Sequence, residues 1–343
     1  MYAKVMTKMV LFLVIVLAAS SSNFICSELY AATKTVELSF NHMWPADSWP
    51  NKVFTAYAEE IYTRTNGKIK INLFPGGILS KPAQVYDSVI KRTSDMGASD
   101  IVYTPNRFPL MEALPLTPWG AKSAWQNGRV ANEIYKKFKP VEFNDTEVMF
   151  FWGFSPSYIQ STKPALTLTD LEGLKMRTTL SGAAMLEALK MVPITIPMSE
   201  TYMAIQRGMC DGTTSPLETL QSFRLAEVVK YTIDVPIFAG IWYIVMNKGV
   251  WNGLSAESKQ VFYETNEKYI DVISKTYDEK DQEGKEFSLN LGNKIITLPD
   301  EDIRKIEEYW QPITEKWISQ AESKGLPGRA VVTEILRLKE KYK

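Results

Sequence analysis

Short segments that alternate apolar and polar residues are interleaved along this chain with amphipathic stretches, and that alternation constrains the fold more than any other feature. Thr35 to Phe40 sets Val36, Leu38 and Phe40 against polar neighbours, the period of a half-buried strand. Asp47 and Ser48 then offer N-caps to a helix whose buried face is Val53, Phe54, Tyr57, Ala58 and Ile61, with Gly67 closing it. Lys68 to Phe74 is a second alternating strand, ended by Pro75-Gly76-Gly77. A helix over Pro82 to Arg92, a strand over Met96 to Val102 and a helix over Lys122 to Phe138 continue the order. It resumes with strands at Thr146 to Gly153 and Leu174 to Thr178, a helix at Gly182 to Leu189, a strand at Ile194 to Pro197 and a helix at Ser199 to Arg207. Tyr243 to Asn247 reads as a returning strand. The order predicts an α/β protein with helices on both faces of mixed sheets. Ser255 to about Phe287 reads as one helix, long enough to lie across two lobes, and Ile303, Ile306, Trp310, Ile313 and Trp317 keep helical spacing near the C-terminus.

The N-terminus carries its own signal. Lys4 and Lys8 precede an apolar run from Val10 to Ala19, and small residues follow through Ser22, the layout of a secretory leader. A run of about ten residues is too short for a bilayer that needs roughly 20. Cleavage after Ala32 is expected, within several residues, and the bulky Phe24 and Ile25 before Cys26 argue against a lipid anchor there. The mature chain is therefore expected outside the cytoplasm and not itself membrane-spanning. It retains one cysteine, Cys210, so no internal disulfide forms and packing alone must stabilise it. With 39 basic and 39 acidic residues the chain has no surplus charge to attract nucleic acid.

Enzymatic machinery is sparse. His42 is the sole histidine, so no HExxH pair exists, and neither a CxxC, a GxSxG elbow, a phosphate-binding loop nor a GxGxxG run appears. Paired carboxylates such as Glu59 and Glu60 read as helix surface. No metal or cofactor is implied.

Two stretches do carry binding chemistry. Arg177 follows Leu171, Leu174 and Met176 out to the carboxyl end of a strand, where ligands of open α/β sheets bind and where a guanidinium grips a carboxylate with two parallel hydrogen bonds. Taken alone, it reads rather as a surface arginine paired with an acid. Residues 198 to 216 place Tyr202 and Ile205 on a helix capped by Ser199 and stopped by Gly208, then turn through Asp211-Gly212 into a strand that Pro216 ends. Ser215 lies at that strand end, where its hydroxyl either bonds a ligand or simply shapes a turn.

Together these stretches resemble the solute receptors of tripartite ATP-independent periplasmic (TRAP) transporters. The likeness rests on Gly173-Leu174-Lys175-Met176-Arg177, on Ser199-Glu200-Thr201-Tyr202, and on Gly208-Met209-Cys210-Asp211-Gly212 with Pro216 after it. It extends to Gly67 to Gly77, Ala113 to Leu116 and Met246 to Ser255. The resemblance implies a two-lobed clamp that closes on a small carboxylate and delivers it to membrane permease subunits, with Arg177 holding the carboxylate. It places a first lobe at 33–154 plus 243–285 and a second at 155–242 plus 286–343, after a leader at 1–32, with the long helix bridging them. The chain departs from many relatives at Ser215, where an asparagine is usual, and at Ser157 and Tyr158, near which some carry a second arginine.

The expected ligand contacts are Arg177, Ser215, Met198, Glu218, Tyr158, Met43, Trp44, Ser99 and Trp242, with Trp119 on the same apolar wall. One cation suits one carboxylate, and thioether and aromatic surfaces suit an apolar tail, so the expected cargo is a monocarboxylate: a 2-oxo, branched or aromatic acid. Glu218 either accepts from a ligand hydroxyl or amine, or lies on a helix surface. Three readings of the whole remain open: this receptor, the same clamp serving another transporter or a signalling receptor, and an exported enzyme on the same fold.

Overall fold

The computed structural model describes residues 35–116 and 122–343. The expected leader, Cys26 and Trp119 lie outside the described residues. The strands are β1 (Val36–Asn41), β2 (Ile69–Phe74), β3 (Met96–Asp100), β4 (Thr146–Gly153), β5 (Ser157–Ser161) and β6 (Lys175–Thr178), then β7 (Val192–Thr195), β8 (Gly212–Ser215), β9 (Tyr231–Phe238), β10 (Ile241–Asn247) and β11 (Lys294–Ile296). The principal helices are α1 (Trp49–Arg64), α2 (Val85–Ile90), α3 (Ala124–Phe138), α4 (Ala183–Ala188), α5 (Met198–Gln206), α6 (Lys248–Gly253), α7 (Ala256–Asn290), α8 (Asp300–Ser323) and α9 (Gly328–Lys341).

Two mixed sheets result. The first runs β2-β1-β3-β10-β4, with β10 antiparallel to both neighbours, and the second runs β11-β9-β5-β8-β6-β7. β1 buries Leu38 and Phe40 as the alternation predicts, while Val36 stays exposed at the strand's start. The helix after it buries Phe54, Tyr57, Ala58 and Ile61 against them.

Several boundaries differ from the sequence reading for local reasons. β3 stops at Asp100, not Val102, because Asp100 Oδ1 accepts the Val102 N–H at 3.0 Å and turns the chain into a 3-10 segment, Ile101–Tyr103. α5 starts at Met198 after Pro197, so Ser199 is inside the first turn and does not cap it. The stretch 82–92 opens as a 3-10 turn at Pro82–Gln84 and is helical only from Val85. β5, β9 and β11 were not foreseen. β9 contains Pro236, which argues against a strand in sequence, and the ladder accommodates it with a register shift opposite Tyr158.

α7 spans 35 residues and touches both halves. It packs on α1, α3 and β4 of the first sheet's side and on the Thr219–Ser222 turn of the second. Asp278 Oδ1 and Oδ2 accept the Ala124 and Trp125 N–H groups at 2.6 and 3.1 Å, which ties α7 to the start of α3. One turn later, Asp281 Oδ1 accepts the Glu218 N–H at 2.8 Å on the other half. Ile241 and Trp242 already pair within the first sheet. α8 meets both halves: near its start Asp302 Oδ2 accepts the Leu168 N–H at 2.9 Å and the helix packs on α4, while Trp317, Ile318 and Ala321 near its end and Val331, Ile335 and Leu338 of α9 share a core with Val130, Phe151 and Tyr243. Their apolar faces are directed by burial, which sequence periodicity leaves without a partner. No helix among the described residues is long and apolar enough to cross a membrane.

Candidate ligand-binding site

Where the carboxyl ends of the parallel strands of the two sheets face each other, a cavity encloses about 680 Å³ of empty space, part of it open to solvent. Strand exits supply most of its wall: Met43 and Trp44 after β1, Asp100 and Tyr103 after β3, Phe154 after β4, Arg177 and Thr179 at β6, and Ser215 at β8. β10 runs the opposite way and contributes Trp242 from its beginning, and the bridging helix contributes Tyr277.

Arg177 is 2% exposed. Its Nε donates to the Ile196 carbonyl at 3.0 Å, and its other N–H groups find no acceptor among the described residues. No described carboxylate lies within ion-pair distance, so the reading of Arg177 as a paired surface arginine is overturned. Burial pulls its pKa down to about 10, opposed by Tyr103 and Cys210, which still leaves the guanidinium charged at neutral pH. A desolvated cation without a counter-charge is costly, and natural interiors pair such groups. The counter-charge that such a group calls for is an anion. Thr179, two residues on at the exit of the same strand, lines the same cavity with a buried hydroxyl that has no partner among the described residues.

The rest of the expected set divides. Met43, Trp44, Met198, Ser215, Glu218 and Trp242 all line the cavity with Arg177. Tyr158 and Ser99 do not. Each sits one position from a residue that does, Ser157 and Asp100, and because side chains alternate across a strand a one-residue offset sends a group to the opposite face. Ser99 is buried and donates to the Pro82 carbonyl at 2.9 Å. Tyr158 has its pKa pushed up to about 12 by burial and by the acids Asp234 and Asp281.

Lining is also not the same as being free to bind. Ser215 Oγ donates to Gln160 Oε1 at 3.2 Å and lies 2.8 Å from the Thr219 hydroxyl, so the usual asparagine's replacement is already engaged. Glu218 is not on a helix surface, as one reading had it, but buried. Its Oε2 accepts from Ser222 at 2.6 Å and its Oε1 from the Tyr277 hydroxyl at 3.4 Å. Burial raises its pKa, with hydrogen bonds from Ser222, Trp49 and Tyr277 opposing.

The Asp-Gly turn supports the site without entering it. Asp211 Oδ2 accepts the Lys175 N–H at 2.9 Å, and a Cβ on Gly212 would stand 2.1 Å from the Gln160 carbonyl, so only glycine lets β8 lie against β5. His42 stays outside the cavity. It packs among Phe40, Trp44 and Phe54, hydrogen-bonds Asn51 at 3.1 Å, and burial lowers its pKa to about 4, which keeps the ring neutral.

Sequence reasoning missed Asp100, Tyr103, Trp49, Thr179 and Tyr277. Thr179 was recoverable from the period of the strand that presents Arg177. Trp49 and Tyr277 lie on helices whose facing direction only packing decides.

Residues 40–320 match the model of the family described as bacterial extracellular solute-binding protein, family 7 (DctP). A solute-binding protein of Roseobacter denitrificans is 27% identical over 211 residues, which span 59% of this chain and 63% of that one. Among solved structures, a TRAP periplasmic solute binding protein from Desulfovibrio salexigens superposes with a TM-score of 0.83 at 28% identity, over 90% of this chain and 97% of that one. A marine metagenome TRAP solute binding protein specific for aromatic acid ligands, in complex with metahydroxyphenylacetate, is similar with a TM-score of 0.83 at 26% identity, over 90% and 99%.

Proposed function

The chain belongs to family 7 of the bacterial extracellular solute-binding proteins, and from that we propose that it captures a monocarboxylate with an apolar or aromatic tail between two lobes and delivers it to the membrane subunits of a TRAP transporter. Arg177 carries this reading, as a buried cation with no described counter-charge facing a cavity partly open to solvent. The carboxylate docks on the free edge of the guanidinium, with the Thr179 hydroxyl beside it. A second carboxylate on the ligand would find no second described cation in the wall and would face Asp100 and Glu218 instead. Trp44, Phe154, Phe238 and Trp242 supply apolar wall for the tail. The similarity to a receptor specific for aromatic acids supports the same tail. Capture requires no bond making, and closure around the long helix completes the cavity.

Thermal unfolding of the mature protein, freed of carried-over ligand, against mono-, di-, 2-oxo and aromatic carboxylates tests this. A ligand at about 100 times its dissociation constant stabilises by roughly 2.7 kcal/mol. A shift with an aromatic or branched acid but not with its amide is expected. A shift only with C4-dicarboxylates would refute the monocarboxylate reading.

A further inference from the structure

Opposite Arg177, the wall from the first sheet carries polar atoms that an apolar tail would leave unanswered. Asp100 and Trp242 are direct partners in the β3–β10 antiparallel register, so their side chains leave the same face of the sheet, and both line the cavity. Trp242 Nε1 is buried and has no hydrogen-bond partner among the described residues. Asp100 is 2% exposed. Its Oδ1 is used by the Val102 N–H, its Oδ2 has no donor among the described residues, and no described cation lies within ion-pair distance. Tyr103, which ends the turn that Asp100 caps, packs edge-on to Trp242 at 6.2 Å.

We propose that Asp100 and Trp242 form a second polar subsite that takes a hydroxyl on the body of the ligand, away from its carboxylate. This rests on the carboxylate reading of Arg177 and adds the ligand's second recognition element.

The chemistry selects the group. An indole N–H only donates, so the incoming atom must accept. A carboxyl buried among aromatic rings with no cation beside it is held neutral by desolvation, and Asp100 has its pKa pushed up to about 8 by burial, opposed by the Val102 N–H. A hydroxyl accepts from Trp242 Nε1 and exchanges a hydrogen bond with Asp100 Oδ2 at once. An ammonium cannot accept from the indole, and a methyl answers neither atom. Asp100 and Arg177 line the cavity from different sheets, and Tyr103, on the same wall as Asp100, lies within electrostatic reach of both. A buried polar pair left unanswered costs more than an answered one gains, so such a site rejects analogues that lack the group.

Calorimetric titration of the full mature protein with phenylacetate, 3- and 4-hydroxyphenylacetate, 3-methylphenylacetate and 3-(aminomethyl)phenylacetate tests the subsite, with hexanoate, heptanoate and 6-hydroxyhexanoate as an aliphatic series. At least one hydroxylated acid should bind tenfold or more tightly than its methyl or unsubstituted counterpart. Trp242→Phe, which keeps a ring and removes the N–H, should bring that ratio towards one. Asp100→Asn, which keeps the turn's acceptor and a neutral donor, should retain it. Equal binding of hydroxyl and methyl acids by the parent protein overturns the subsite and leaves the carboxylate reading standing, as does a preference for the aminomethyl acid. Binding of none of these acids overturns both.

Discussion

Replacing Arg177 by methionine should make the empty protein more stable and the binding protein useless. The fall of its pKa to about 10 corresponds to roughly 3 kcal/mol by which burial disfavours the cation. Methionine keeps the length and the apolar contacts and removes the charge. Against that gain stands the hydrogen bond from Nε to Ile196, about 1.5 kcal/mol for a charged donor. The net is about 1–2 kcal/mol, and at about 2 °C per kcal/mol in a protein of this size the midpoint of the ligand-free variant should rise by about 2–4 °C. Binding moves the other way: removing one partner of a buried charge pair costs about 2–5 kcal/mol, so the dissociation constant for the acid should rise by a factor of about 30 or more. Differential scanning calorimetry of ligand-free protein and titration of the same acid into both forms read the two effects separately. A variant that binds within threefold of the parent would show that the anchor is elsewhere. A ligand-free variant destabilised by several degrees would show that the guanidinium is paired within the protein and has no vacancy to offer a ligand.

Three further outcomes follow from the geometry. Asp100 has its folded pKa raised to about 8 and Asp281 to about 7, both by burial first, so the native state holds protons that the unfolded chain releases near pH 4. Their contribution is full below about pH 4 and is lost as pH rises to about 7–8, so the unfolding midpoint should fall across that window and fall less in Asp100→Asn and Asp281→Asn. Gly284 lies in α7 where an added Cβ would stand 2.2 Å from the Leu217 carbonyl and 2.9 Å from Glu218 Cα. Gly284→Ala should therefore cost about 1–3 kcal/mol in denaturant unfolding and also weaken acid binding by shifting the Glu218 wall, although Gly284 does not line the cavity. Asp278→Ala leaves the Ala124 and Trp125 N–H groups and the Ser155 hydroxyl without their acceptor and should destabilise by about 2 kcal/mol, measured the same way.

What the sequence determined by itself is local. Alternation at Val36 to Phe40 and Lys68 to Phe74, the apolar face of α1, the length of α7 and the exit of Arg177 from a strand end were all legible, because each depends on the period of one element. The motif around Arg177 and Asp211 carried the family as well. Tertiary structure decided what two elements do to each other. It set whether Arg177 is paired, since any of many acids elsewhere in the chain was an eligible partner until packing put no described one within reach. It also turned Ser215 and Glu218 towards Gln160, Thr219, Ser222 and Tyr277. It exchanged Ser99 for Asp100 and Tyr158 for Ser157 at the cavity wall, because a strand's period is readable but its phase is fixed only by which face a neighbouring sheet and helix cover. And it carried α9 back onto the first sheet's core, where the apolar face of the helix meets a partner more than 150 residues away in sequence.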